Sequence, residues 1–251
     1  MSGHSKWSTI KRKKGAIDAV KGRIFTKLVR ELTTAARMGG GDPNGNPRLR
    51  AAITAAKAES MPGDNITRAI KRGTGEIEGP PVEEQSYEGY GPGGVAFLVE
   101  AQTDNKNRTV AEVRAAFTKG QGNMGAAGSV AWMFNKRGQF VFDAKKYTED
   151  QLTEAALEAG AEDVKTEGDS IVIYCDVKDF ATVMTGLEKQ KIEFREASLT
   201  MIPGNTVKVT GDAATACMKL IERLEELDDV MKVYANFDID DAELERIAAA
   251  G

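Results

Sequence analysis

The sequence predicts an α+β multidomain protein, in which an N-terminal three-helix bundle precedes two ferredoxin-like (βαββαβ) domains, one inserted in the other. Apolar residues recur at helical spacing through the first part of the 251-residue chain, and strand and helix patterns then alternate. The charge divides in the same region, because residues 1–75 carry 16 Lys+Arg against 5 Asp+Glu and residues 76–251 carry 18 against 33. A net charge of +11 therefore precedes one of −15.

Three amphipathic helices account for the basic N-terminal part. In the first, apolar residues recur every three or four positions from Ile17 until the glycine run that begins at Gly39. Asn46, which precedes a proline, is expected to cap the second helix, and Asn65 is expected to begin a third that ends at Gly73. Helices of this length are marginal in isolation, so we expect them to pack as a bundle.

A link rich in proline, glycine and glutamate, "GEIEGPPVEE", leads from the bundle to a βαβ unit. In this unit the strands "GVAFLVEAQ" and "SVAWMF" are expected to flank the helix "NRTVAEVRAAFTKG". A hairpin turn at "NKRG" is expected to follow. The next strands are predicted at "GQFVFD", "EDVKT", "SIVIYC" and "KIEFREASLTMI", with helices at "TEDQLTEAALEAG", which opens on a Thr148/Gln151 capping box, and "VKDFATVMTGLEKQ".

The chain ends in a further strand, helix and strand, at "TVKVT", "DAATACMKLIERLEEL" and "VMKVYANFD". Joined to the earlier βαβ unit, these elements would complete a second βαββαβ set. The alternative is a chain of independent βαβ pieces, which would leave strand edges unpaired around little core. The predicted division is a basic helical bundle with a flexible N-terminal arm at 1–78, a discontinuous α+β domain at 79–135 plus 204–240, an inserted ferredoxin-like domain at 136–203 and an acidic tail at 241–251.

Enzyme activity is not expected from this composition. The single histidine, His4, leaves little for acid–base chemistry, and no spaced ligand set predicts a metal or cofactor. Cys175 and Cys217 lie far apart in sequence and are expected to be buried thiols. No apolar run approaches the roughly 18 residues of a membrane span, so we expect a cytoplasmic protein with no membrane or small-molecule partner.

The clustered cations predict a nucleic-acid surface. Charge runs are often only solvated tails, but one whole bundle that is basic on an otherwise acidic protein favours the capture of a polyanion. Trp7 could also stack on a base. The predicted nucleic-acid-binding residues are Lys6, Trp7, Lys11, Arg12, Lys13, Lys14, Lys21, Arg23, Lys27, Arg30, Arg48, Arg50, Lys57, Arg68, Lys71 and Arg72.

The stretch "GYGPGG" is a second candidate contact site. It precedes a strand, whereas a phosphate-binding glycine loop follows a strand and enters a helix. A tight turn, with glycine supplying positive φ, is therefore favoured over a contact loop. The candidate contact loop consists of Tyr90, Gly91, Pro92, Gly93 and Gly94. In "TDNKNRT", the polar residues before the predicted helix are expected to act as caps.

Four long motifs resemble the YebC/PmpR family of bacterial proteins, which has mitochondrial relatives that are translational activators. They are "GHSKWSTIKRKKGAIDAVKGRIFTKLVREL", "AAKAESMPGDNITRAIKRGTGE", "YEGYGPGGVAFLVEAQTDNKNRT" and "GSVAWMF". The resemblance implies three domains and a role in gene expression. Two roles are described for the family, a DNA-binding transcriptional regulator and a ribosome-associated factor that relieves stalling.

Promoter DNA and ribosomal RNA therefore both remain candidate partners. No helix-turn-helix recognition helix is evident, because Arg48 and Arg50 precede an alanine-rich face, which mildly favours the ribosome. A further alternative is a protein-interaction module in which the two α+β domains hold a partner and the bundle tethers the complex.

Overall fold

The structure is a computed structural model that describes residues 17–250. It confirms the predicted fold class, because N-terminal helices precede two four-stranded sheets with helices packed on them. The helices are α1 Ile17–Gly39, α2 Pro47–Ala58, α3 Gly63–Thr74, α4 Lys106–Lys119, α5 Glu149–Ala159, α6 Phe180–Lys189, α7 Gly211–Glu225 and α8 Asp241–Ala250. The strands are β1 Glu83–Tyr90, β2 Ala96–Thr103, β3 Asn123–Met124, β4 Phe134–Asp143, β5 Asp163–Glu167, β6 Ser170–Cys175, β7 Glu196–Pro203, β8 Val207–Lys208, β9 Val230–Ala235 and β10 Phe237–Asp238.

The described chain divides into two compact units. The first contains residues 17–27, 80–135 and 202–250, and the second contains residues 28–79 and 136–201. Helices α2 and α3 therefore share a unit with the inserted domain, whereas the sequence-based division kept residues 1–78 apart. Ala51 of α2 packs against the core of residues 136–201, which explains this grouping.

The first unit is built on a sheet with the strand order β3-β1-β2-β9, in which every neighbouring pair is antiparallel. Helices α4 and α7 contribute to the same core as the sheet, where Phe97 meets Phe117 edge to face at 6.1 Å between ring centroids. Leu244 of α8 is buried in this core as well, so the acidic C-terminal segment is anchored by apolar packing.

Strand β9 follows the inserted domain in sequence and pairs with β2, which precedes that domain. Phe97 pairs with Ala235, and Asn236 Oδ1 accepts a hydrogen bond of 2.7 Å from the Ala96 amide. At the other end of the pair, the buried carboxylate of Asp229 accepts hydrogen bonds from Arg108 and Thr109, at 2.7 Å each. These contacts join the start of α4 to the turn before β9.

The first sheet is not the second βαββαβ set predicted for residues 79–135 and 204–240, because its strand order is β3-β1-β2-β9. "SVAWMF" is not a strand, because it forms a 3-10 turn at Ala131–Met133 before β4 begins. "TVKVT" supplies only β8, which pairs in parallel with β10 outside the four-stranded sheet. Strand β1, which was not predicted, takes a central place between β2 and β3. The predicted hairpin turn "NKRG" lies inside the continuous strand β4.

The second sheet has the order β5-β6-β4-β7, the ferredoxin-like arrangement that the sequence predicts for residues 136–203. Helices α5 and α6 pack on it around Phe140, whose ring stacks on Phe180 at 5.0 Å between centroids. The capping box at Thr148 and Gln151 is confirmed by hydrogen bonds in both directions. Gly168 turns the chain between β5 and β6 with a φ of 63°.

The end of α1 packs closely with α2 and α3 in the second unit. The predicted cap is confirmed, because Asn46 Oδ1 accepts from the Leu49 amide at 3.0 Å while its Nδ2 donates to the Ala35 carbonyl at 2.8 Å. Helix α3 begins at Gly63 rather than Asn65, so that predicted start is wrong. A Cβ at Gly73 would collide with the Thr33 carbonyl oxygen, so only glycine fits where α3 approaches α1.

Both cysteines are free and buried, as predicted. Burial raises the pKa of Cys175 to about 11, with nearby carboxylates adding to the effect, and raises the pKa of Cys217 to about 12. Both therefore remain protonated thiols at neutral pH.

Candidate nucleic-acid interface

Part of the predicted surface lies outside the described residues. This part comprises Lys6, Trp7, Lys11, Arg12, Lys13 and Lys14. Lys21 lies on α1, but its side chain is likewise outside the described set. By sequence, residues 1–27 hold 8 Lys+Arg against a single acid, Asp18, so most of the N-terminal excess of positive charge is concentrated there.

Two predicted arginines are engaged by carboxylates. Arg48 donates two hydrogen bonds to Glu31, from Nε to Oε1 at 2.7 Å and from Nη2 to Oε2 at 2.9 Å. Arg50 Nη1 contacts Glu188 Oε2 at 3.1 Å. Planar, bidentate pairing of this kind fixes the Arg48 guanidinium and compensates its charge. These two residues, at the start of α2, hold the second unit together and offer less free charge to phosphate than the sequence suggested.

Three predicted residues lie along α1 with partly covered side chains. Arg23, Lys27 and Arg30 are each half-buried. Lys27 Nζ donates to the Glu225 carbonyl oxygen at the end of α7, at 2.8 Å. A cation beside the last carbonyls of a helix is favoured by the helix dipole, so Lys27 has a structural role whatever else it contacts.

Three exposed cations on α2 and α3 fit a phosphate-binding role best. Lys57, Arg68 and Lys71 are exposed and form no ion pair with residues 17–250. Arg68 and Lys71 are three positions apart on α3, so they lie on one helical face. Arg72, on the next position, is half-buried with its stem close to Gly79.

Arg37 is an exposed cation that the predicted set omitted. It lies in the last turn of α1 and is exposed, as is the neighbouring Met38. Its place off the apolar face of α1 is the sequence signal that could have identified it.

The candidate contact loop is a tight turn, as the sequence favours. It joins β1 to β2 through a 3-10 turn at Pro92–Gly94, where Gly93 and Gly94 have φ values of 69° and 76°. The Gly91 amide donates to the Val95 carbonyl at 2.8 Å and closes the turn. Tyr90, at the start of the loop, is 38% exposed.

A neighbouring loop carries an exposed indole that the sequence analysis did not single out. Trp132 is 72% exposed, because the segment expected to be a strand is a turn. Its Nε1 donates to the Ser129 carbonyl oxygen at 3.2 Å. Tyr90 donates from its hydroxyl to the same oxygen at 3.1 Å, so the two side chains meet at Ser129.

Glu88 holds this loop from inside the protein. Its side chain is only 5% exposed and accepts from the amides of Gly128 and Val130 at 2.7 Å each and of Ala131 at 2.8 Å. Burial raises the pKa of Glu88, but the three amide hydrogen bonds together outweigh burial and the net pKa is lowered. The ionised carboxylate replaces the strand pairing that the sequence pattern had suggested for these amides.

No group of three or more His, Cys, Asp and Glu side chains within residues 17–250 could hold a metal ion. In the same range, no helix has both the length and the apolar character that crossing a bilayer requires.

Comparison with known proteins gives matches along nearly the whole chain. Residues 5–76 match a model described as the TACO1/YebC protein N-terminal domain, and residues 82–237 match the TACO1/YebC second and third domain. A probable transcriptional regulatory protein of Geobacter sulfurreducens is 58% identical over 98% of this chain and 100% of its own length. A protein of the same description from Syntrophus aciditrophicus is 56% identical over 99% of this chain and 100% of its own length.

A solved structure is similar over most of its length. The crystal structure of a conserved hypothetical protein from Aquifex aeolicus superposes with a TM-score of 0.84 at 47% identity. The match covers 89% of this chain and 93% of that one.

The Glu88 contacts predict an acid-sensitive loop. Glu88→Gln should lower the free energy of unfolding at pH 7 by about 2 kcal/mol, because a neutral amide accepts hydrogen bonds less strongly and offers one oxygen instead of two. A lowered carboxyl pKa contributes stability above the ordinary pKa of about 4.5, and this contribution is lost as pH falls through the folded-state value. Urea unfolding at pH 7 and pH 3.5 should therefore show a difference between the two proteins that shrinks in acid.

The matched control is Glu112→Gln, which changes an exposed glutamate on α4. It should alter stability by less than about 0.5 kcal/mol at either pH. Equal effects of the two substitutions would contradict the structural role given to Glu88.

Proposed function

The chain belongs to the TACO1/YebC family, and from this premise we propose that it regulates gene expression by binding nucleic acid through the cations of its N-terminal arm and helices. The observation that carries the proposal is the division of charge, with +11 in residues 1–75 against −15 in the remainder. Solubility requires no such separation of sign along a chain. Attraction of a polyanion to one end of the protein is its simplest use.

The described helices support the proposal with a rigid framework for part of this charge. Lys57, Arg68 and Lys71 project into solvent from helices whose packing is fixed by the Asn46 cap and by the close approach at Gly73. Exposed lysine and arginine without ion-pair partners keep their full charge available to phosphate. The acidic remainder of the chain would be repelled by the same polyanion, so the basic end would face it.

The first candidate target is promoter DNA. Close relatives from Geobacter sulfurreducens and Syntrophus aciditrophicus carry the description of probable transcriptional regulatory proteins. Carried over to this chain, that description makes it a DNA-binding regulator of transcription. The phosphate contacts proposed here would supply affinity but no sequence preference of their own.

A second candidate target is ribosomal RNA, in the manner of a ribosome-associated translation factor that relieves stalling. This target is favoured because the two arginines at the start of α2, Arg48 and Arg50, form ion pairs with Glu31 and Glu188. A helix that reads base edges needs free Arg, Asn or Gln side chains on its leading face. With Arg48 and Arg50 held by carboxylates, the remaining contacts of α2 suit the shape and phosphates of folded RNA better than base edges.

The proposal predicts a steep dependence of binding on salt. With about six phosphates engaged, the logarithm of the affinity for duplex should fall with the logarithm of salt concentration with a slope near −5. Replacing Lys57, Arg68 and Lys71 together by Ala should reduce the steepness by about 1 for each phosphate that the variant no longer binds. Replacing Lys11, Arg12, Lys13 and Lys14 by Ala should reduce it further. Fluorescence anisotropy of labelled duplex across a salt series measures both slopes.

The matched control replaces Lys136, Lys145 and Lys178 by Ala, which removes the same charge from exposed positions of the inserted domain. Its slope should equal that of the unchanged protein. A flat salt response, or equal reductions in the control and the α2–α3 variant, would contradict the proposed surface.

The two candidate targets predict different partners in a lysate. If the target is the ribosome, the protein should sediment with ribosomes in a gradient at moderate salt, and excess random duplex DNA should not release it. If the target is promoter DNA, the protein should be absent from ribosomes and should prefer one promoter over random duplex by roughly 1,000-fold or more. Because Arg48 and Arg50 at the start of α2 are paired with carboxylates, we expect the first result.

A further inference from the structure

The aromatic pair Tyr90 and Trp132 is the most exposed aromatic feature among the described residues. Trp132 leaves 72% of its surface in solvent and Tyr90 leaves 38%. By contrast, Phe97, Phe117 and Phe237 of the same unit lie in its core. A single exposed apolar side chain is common on protein surfaces, but two aromatic side chains that meet at one surface position form a candidate contact site.

The polar atoms of the aromatic pair are already used within the protein. Tyr90 Oη and Trp132 Nε1 both donate to the carbonyl oxygen of Ser129, at 3.1 and 3.2 Å. These bonds fix the direction of each side chain. Because the donors are occupied, the surface that remains for a partner is the ring itself, which suits stacking rather than hydrogen bonding.

Hydrogen bonds within the protein fix the conformation of the loop that carries Trp132 before any partner binds. Three of its amides donate to the buried carboxylate of Glu88, and the Gly125 amide donates to the Glu88 carbonyl at 2.8 Å. On the other side of the pair, Tyr90 is paired with Asn123 of β3. A partner that stacks on the pair would therefore meet rings already in place, and little ordering cost would reduce its affinity.

The charge around the pair suits an anionic partner. The two loops that carry the pair, residues 90–94 and 120–134, contain no charged side chain, although residues 76–251 as a whole carry −15. Lys119 is exposed at the end of α4. The nearest acid in sequence is Glu88, whose buried carboxylate is satisfied by the loop amides.

We propose that Tyr90 and Trp132 form a stacking platform for an unpaired base of RNA, a second contact separate from the basic helices. The inference rests on the proposed nucleic-acid binding and specifies the form of nucleic acid that this site accepts. Duplex bases are stacked on each other and cannot reach the rings, whereas the loops and ends of folded RNA present unpaired bases. Stacking on aromatic side chains is the usual way that proteins hold such bases.

A proline-rich peptide is the other occupant that exposed aromatic rings can accept. The aromatic grooves that bind such peptides use hydrogen-bond donors beside the rings to contact the peptide carbonyls. Here both ring donors are turned inward to Ser129. The two loops also carry no carboxylate that would repel an anionic ligand.

The test uses the full chain carrying Trp7→Phe, which leaves Trp132 as its one tryptophan. Titration with a 12-nucleotide single-stranded RNA should quench the emission of Trp132, and the same RNA annealed to its complement should not. In the unmodified protein, Trp132→Ala should weaken binding of the single strand about 10-fold and change binding of the duplex less than about 2-fold. Tyr90→Ala should act in the same direction, and Tyr90→Phe, which keeps the ring, should act less.

The dependence on salt separates this inference from the proposed function. Stacking releases no counterions, so Trp132→Ala should lower affinity at every salt concentration without changing the slope, whereas removal of the helix cations changes the slope. Circular dichroism and thermal unfolding check that the variant keeps its fold, as expected for a residue that is 72% exposed.

Trp132 emission that stays constant while RNA binds, or equal weakening for single strand and duplex, would overturn the platform and leave the proposed function intact. Quenching by a proline-rich peptide in place of RNA would also overturn it. If the salt dependence of affinity is unchanged when the helix cations are replaced by Ala, and Trp132→Ala abolishes single-strand binding, the basic surface would be refuted and the platform supported.

Discussion

The pairing of β9 with β2 is the constraint on which the rest of the architecture depends. These strands lie on either side of the inserted domain in sequence, yet Phe97 and Ala235 are neighbours in one sheet. Asp229, Arg108 and Asn236 fix the two ends of this pairing. Because loop-closure entropy grows only slowly with loop length, a whole folded domain can be inserted between the paired strands at small additional cost. The insertion keeps its own four-stranded sheet and core.

Charge and aromatic exposure give the two units different chemistry. In the second unit, α2 and α3 present exposed Lys57, Arg68 and Lys71, whereas Arg48 and Arg50 are tied to carboxylates. The first unit presents ring surface on a loop shaped by a buried carboxylate. Phosphate attraction would supply affinity without selecting a sequence, and base stacking would select unpaired regions. Together, the two proposals describe binding to irregular nucleic acid.

Hydrophobic periodicity predicted most helices and the βαββαβ order of elements in the inserted domain, because each of these elements buries one face. It failed at "SVAWMF", whose amides are taken by Glu88, a residue more than forty positions away that no local pattern reveals. Because this segment was expected to be a strand, Trp132 was not predicted to be an exposed contact residue. Likewise, the sequence marked Arg48 as a free cation because its partner, Glu31, lies on another helix. These misses share one cause, a side chain that acts across tertiary structure.

The most direct measurement is the rate at which individual lysines react with an amine-specific reagent, read by mass spectrometry with and without bound nucleic acid. Lys57 and Lys71 should react freely in the free protein and become protected in the complex. Lys146 and Lys208, which pair with Glu193 and Asp240, should react at the same rate in both states. Unchanged labelling of Lys57 and Lys71 at saturation, with protection at Lys146 or Lys208, would contradict the account.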